Sequence, residues 1–296
     1  MNHVISLLLA FLFFSSSIIN AQHELWDKDF GDTDKQLSLL GDIMYNAVVP
    51  EHRKWAAEKF EELLYQKVEK DYLTGLLPFQ WAQIQIPADS SFAIITWQFK
   101  NASNRYEPKG IIALKGKAPK ILSNENESWQ DSEYDQFTAS EWPGAVYYKM
   151  MPATKDDMEK YILFGYNGWD NINKIRVLEV LDLSEGDVTF GAPIFIVKDD
   201  PVRPDAISRK VLRYAAQSKV QINYADSSQM ILYDHLIPTS TLEGQLTAVP
   251  DGSYEAFQFR DGKWFYVEKV YDQTQDTPPG EGKPSDEERD IFGKKK

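Results

Sequence analysis

None of the 296 residues is cysteine. That excludes disulfides, thiolate catalysis, cysteine zinc sites, iron–sulfur clusters and lipid attachment at a lipobox cysteine. A chain of this length buries enough apolar surface to fold without cross-links. Histidine is scarce as well. His3 lies in the first segment, and His23, His52 and His235 follow with no pair at metal-ligand spacing. H-E-x-x-H, G-x-S-x-G, Walker and dinucleotide-binding motifs are all missing, and Gly280-x-Gly282 falls in a polar terminal stretch. The first 22 residues hold no Lys, Arg, Asp or Glu.

That uncharged opening is the most informative feature of the chain. Residues 4–19 are an almost unbroken apolar run, closed by Asn20-Ala21 and then Gln22. A short apolar core followed by small residues is the layout of a secretory signal. A bilayer needs about 20 apolar residues, and Ser15 to Ser17 interrupt this run, so a membrane anchor fits less well. The expectation is a signal peptide over 1–21, cleavage after Ala21, and export to the periplasm or outside the cell, with no membrane insertion afterwards.

What remains is about 275 residues with all of the formal charge of −13. Such a surface repels phosphate backbones and anionic bilayers, which excludes nucleic acid and acidic membrane surfaces as partners. Apolar residues make up 43%, with 8 Trp, 15 Tyr and 16 Phe, which is ample for a packed core.

After a leader over 23–32, Leu37, Leu40, Met44 and Ala47 recur at helical spacing, with Thr33 or Asp34 as N-cap. Pro50 ends this helix and opens a second. Its stripe is Ala56, Phe60, Leu63, Leu64, Lys67 and Val68, with Lys54, Glu58, Glu61 and Glu62 facing water. After Gly75 the period becomes two. Ala93, Ile95, Trp97 and Phe99 form one face, with Thr96 and Gln98 on the other. Further strands read at 110–114, 146–151, 161–166, 175–183, 189–197, 211–215, 220–224, 230–233, 254–259 and 264–271, while 116–141 reads as a long polar loop. Gln221 and Asn223 give the 220–224 strand one wet face. Asp261-Gly262 and Glu185-Gly186 are hairpin turns. From Asp272 the chain has seven acids, five bases and three prolines, the composition of a solvated tail. The expected fold is α+β: a helical hairpin over 22–76, a mainly antiparallel β-rich domain over 77–271 and a disordered tail over 272–296. Sandwich, barrel and meander are left open by the pattern.

Three places could carry chemistry. Asp234-His235 ends the strand MILY, although neighbours on a strand point to opposite faces. The loop Asn167-Gly168-Trp169-Asp170-Asn171 offers oxygen atoms that could hold Ca²⁺, as could Asp199-Asp200 with Asp205, but both also suit plain turns. Trp169 and Trp142 fall in loops, where an indole face stacks on a sugar or folds back on the core. No metal or other cofactor is called for.

Over 162–195 and 254–270 the chain resembles an uncharacterised family of predicted secreted proteins from Bacteroidota. The matching residues are Gly165, Gly168, Asp170, Asn173, Lys174, Glu179, Leu181, Gly186, Phe190 to Phe195, Asp234 to Leu236, Leu242 to Gly244 and Gly262 to Val267. The resemblance spans about 145–271 and implies export, with Gln22 after Ala21 a signal-cleavage end common in that phylum. It supplies no catalytic residues, and the short polar tail is unlike a surface-sorting domain, which favours the periplasm.

These readings converge on a non-catalytic binding or scaffold module for an envelope protein or glycan. Trp169, Asp170, Asn167, Asp234 and His235 are its candidate ligand-binding residues. The alternative is a hydrolase acting on glycan or peptidoglycan through carboxylates such as Asp170 and Asp234.

Overall fold

Two helices open the part of the chain described by the computed structural model, residues 32–74, 80–123, 129, 132–154, 159–198 and 205–272. The expected signal peptide, most of the leader, the Asp199-Asp200 pair and the tail beyond 272 lie outside these residues. Helix α1 (Thr33–Asn46) is capped by Asp32, whose Oδ1 accepts from Asp34 N at 3.0 Å, so the cap falls one residue before the expected Thr33 and two before Asp34. Helix α2 (Pro50–Asp71) starts on its proline, where a missing N–H costs nothing. Leu37, Leu40 and Met44 meet Ala56, Phe60, Leu64 and Val68, and this hairpin covers Ile95, Trp97, Phe99 and Ile111 of the first sheet. Glu61 does not face water as expected. It lies 3.3 Å from Lys109 and ties α2 to that sheet.

The first sheet is β1 (Gln83–Gln85), β2 (Phe92–Lys100), β3 (Tyr106–Leu114) and β4 (Lys120–Leu122), in chain order and antiparallel. Both faces of β2 are buried. Its even positions Phe92 and Ile94 join a second core, and Thr96 and Gln98 are buried beside them. Each polar side chain accepts a backbone N–H: Tyr147 N on Thr96 Oγ1 at 2.9 Å, and Gly168 N on Gln98 Oε1 at 3.0 Å. The polar face of this strand is therefore stitching, not a solvated surface.

The second sheet runs β5 (Phe137–Thr138), β9 (Thr189–Phe190), β8 (Asn173–Asp182), β7 (Lys160–Asn167), β6 (Val146–Pro152), with β12 (Arg209–Ala215) also on β8. The stretch 116–141, expected as a loop, contributes β4, β5 and the buried Trp129. Strand β8 changes partner along one edge: β12 follows it from 173 to 179, then β9 takes 181 and 182. At that handover Glu179 and Arg209, both fully buried, form an ion pair at 2.7 Å.

The third sheet runs β11 (Asp205–Ile207), β10 (Phe195–Lys198), β16 (Lys263–Asp272), β15 (Leu246–Arg260), β14 (Met230–Ser240), β13 (Ile222–Ala225). Among the described residues its β10–β16 pair is parallel and the other pairs are antiparallel. Ile162, Phe164, Leu178 and Val180 of the second sheet pack on Phe195, Ile231, Tyr233, Phe257 and Trp264 of the third. A β-rich chain with N-terminal helices is thus what the sequence folds into.

Two strand readings need correction. The segment 189–197 is not one strand. Gly191, at φ +107°, and Pro193, which has no N–H, break it, so β9 stays in the second sheet and β10 enters the third. Residues 236–250, in part expected as loop, form a two-stranded ribbon from Leu236↔Pro250 to Ser240↔Leu246. Neither β13 nor β16 pairs with this part, so Pro238 and Pro250 remove no ladder bond to a third strand.

Candidate functional site

The residues singled out in the sequence are held by their own neighbours. Asn167 is buried. Its Nδ2 donates to Gly144 O at 2.8 Å, and its Oδ1 accepts from Trp169 N at 2.7 Å. Asp170 Oδ1 accepts from Ile172 N and Asn173 N, both at 2.7 Å, the pattern of an Asx turn. Trp169 is half-buried at φ +50°, with the Arg105 guanidinium 4.6 Å from its ring centre and its carbonyl accepting from Tyr106 N at 2.8 Å. The loop is therefore clamped to the β2–β3 hairpin. Trp142 is fully buried and donates to the Tyr147 hydroxyl at 2.8 Å, so it is a core residue and not a loop platform. Among the described residues, no group of three or more His, Asp or Glu is gathered for a metal ion. Asp205 meets the Tyr134 hydroxyl at 3.3 Å.

Asp234 and His235 point apart, as the strand period requires. His235 Nδ1 lies 2.9 Å from Asp251 Oδ2. The Ser253 N–H and hydroxyl, both on Asp251 Oδ1, together with His235 hold the Asp251 carboxyl at about 2. Asp234 accepts from Gln221 N at 2.6 Å, and burial raises its carboxyl against that hydrogen bond.

Gln221 leads to an open groove of about 560 Å³, which lies within the range of small-molecule sites. A second cavity, between Met151 and Trp264, holds only about 170 Å³. The groove forms where three sheets meet. Val146, Tyr166 and Arg176 sit in one row across β6, β7 and β8, with Tyr148 beside them. Gln83 of β1 closes one side, and Gln221, Ile222 and Asn223, leading into β13, close the other.

Its centre is Arg176. The guanidinium lies 5.0 Å from the ring centres of both Tyr148 and Tyr166, a cation held between two π faces. Nε donates to Val220 O at 3.2 Å, and the Tyr148 hydroxyl donates to Ile222 O at 3.2 Å. These two bonds fasten the β13 wall to the second sheet. On the rim, Asn223 Nδ2 donates to Gln221 Oε1 at 2.9 Å. Asp234, behind the wall, fixes the backbone of Gln221 and so positions this amide pair.

Burial pushes the Tyr166 hydroxyl up to about 12, with Tyr214 and Tyr106 adding to the rise and Arg176 opposing it. Burial also raises Tyr148 and Tyr214 against the pull of Arg176. All three are neutral hydroxyls at physiological pH. None of the eight lining residues is an acid, in a chain of net charge −13.

Of the five sequence candidates, only Asp234 touches this groove, and it does so through the backbone. The wet face of Gln221 and Asn223 was readable, but Gln83, Tyr148, Tyr166 and Arg176 were missed. The available signal was an arginine within the apolar stretch Ile175-Arg176-Val177-Leu178. No known protein family, curated protein or solved structure matches this chain.

Proposed function

We propose that the protein is an exported, non-catalytic binding module that takes a glycan into the groove over Arg176. The observation that carries this reading is the groove itself: tyrosine rings, paired amides and a fixed guanidinium, with no carboxyl in the lining. Rings offer faces to the C–H side of a sugar, and planar amide and guanidinium groups match its hydroxyls. Glycoside hydrolysis ordinarily uses two carboxyls roughly 5 to 10 Å apart, which this lining lacks. Asp170 and Asp234, the pair on which the hydrolase alternative rests, are each occupied by backbone N–H donors. Export rests on the uncharged apolar leader of the sequence. The binding face assigned to the Trp169 loop moves to the groove, because Trp169 is clamped while Tyr166 and Arg176 border open space.

The test is calorimetric titration of the full chain with a panel of neutral and acidic oligosaccharides. At least one is expected to bind. Tyr166→Ala should weaken it by about tenfold, as removing a central aromatic anchor does, with the thermal transition largely kept. A panel with no binder, or a Tyr166→Ala protein that binds as well as the parent, would refute the reading.

A further inference from the structure

Resting on that reading, we propose that the glycan is an acidic one, and that Arg176 pairs with a sugar carboxylate at the floor of the groove. An arginine has five N–H donors in a planar fork. Here Nε donates to Val220 O. The Nη end of the fork carries the paired N–H groups that a carboxylate accepts in a bidentate pair. The guanidinium also lies 5.0 Å from the ring centres of both Tyr148 and Tyr166 and is bonded through Nε, so its position is largely set before a ligand arrives.

The charge pattern points the same way. Among the described residues, five buried or half-buried cations have carboxylate partners: Arg209 with Glu179, Lys160 with Asp182, Lys210 with Glu133, Lys67 with Asp34 and Lys109 with Glu61, whereas Arg53 is bonded to carbonyls and Lys149 lies over rings, neither of them lining the groove. Arg176 is bordered instead by rings, amides and a carbonyl. A cation kept from carboxylates on so acidic a chain is suited to receive one from outside. The amides of Gln83, Gln221 and Asn223 then face the hydroxyls of the same ring, which favours a uronic acid over a peptide side chain.

The experiment compares digalacturonic acid, digalactose and a short acidic peptide of equal charge as ligands of the full chain. Digalacturonic acid is expected to bind at least about tenfold tighter than digalactose, and the peptide far more weakly. Arg176→Gln should bring the two disaccharides to near-equal affinity. Because Arg176 also braces β13, a second variant guards against misfolding: Gln83→Glu, at an exposed rim position, places a negative charge at the groove. It should weaken the acidic disaccharide by about tenfold more than the neutral one. Equal or tighter binding of digalactose by the parent would overturn the acidic assignment while the glycan reading stands. Equal binding of the peptide would overturn the sugar assignment, and failure of every sugar in the wider panel would overturn both. Affinities unmoved by Gln83→Glu would also overturn the acidic assignment.

Discussion

Glu179 and Arg209 are both fully shielded from water, and every polar atom between them has a use. Arg209 Nε and the Tyr147 hydroxyl donate to the two oxygens of Glu179. The Arg209 Nη atoms donate to the carbonyls of Ser132, Asp135 and Phe190. A buried charge left without its partner is costly, whereas apolar replacement of the whole pair is often tolerated. Glu179→Ala should therefore cost about 3–5 kcal/mol in urea unfolding, and Glu179→Leu combined with Arg209→Met should cost clearly less than the two single changes added together. Additive losses would mean that the two side chains act independently. A smaller effect belongs to Asp251. Its carboxyl sits at about 2 when folded, below the roughly 3.9 of an unfolded aspartate. Its contribution is thus present above about pH 4 and is lost as pH falls from about 4 towards 2. Asp251→Asn should flatten the acid limb of a stability-versus-pH curve over that window, and an unchanged limb would remove the carboxylate from the account.

Elements show where a sequence declares its structure and where it does not. The β15–β16 hairpin was legible because Asp261 and Gly262 both take positive φ, +51° and +77°, as a tight turn between twisted strands demands. The helices were legible through their three- and four-residue apolar steps. The split of 189–197 into strands of two sheets was not, since β-forming residues on both sides hide the break at Gly191. A Cβ there would stand 2.7 Å from Asp135 O and 2.9 Å from Arg209 Nη2, at a φ that side chains rarely adopt. Gly191→Ala should therefore lower stability by about 1–3 kcal/mol, more than Gly186→Ala, where φ is +76° but nothing lies within 4 Å. Equal losses at the two glycines would show that backbone conformation alone matters at Gly191. The same reasoning explains the ribbon over 236–250: its prolines and glycine read as loop, and only the absence of a third strand on this part makes them acceptable in β structure.

At the scale of the molecule, the candidate site is assembled from segments near 83, 146, 166, 176 and 221 that share no local pattern. Sequence reading therefore picked residues conspicuous by type, Trp169 and the Asp234-His235 dipeptide. Tertiary structure turned the first into a clamp and Asp234 into the brace of a wall. The fold class was carried by periodicity, which is local. The groove depends on how β1, the β6–β8 row and β13 come together, which is not. The central claim, that ligand enters between these strands, is tested most directly by hydrogen–deuterium exchange with and without the tightest sugar of the panel at saturation. Slowed exchange at 220–224 and 146–148, with 167–173 unchanged, is the predicted result. Protection confined to 167–173 or to the ribbon tip near Leu242, with 220–224 unaffected, would contradict it.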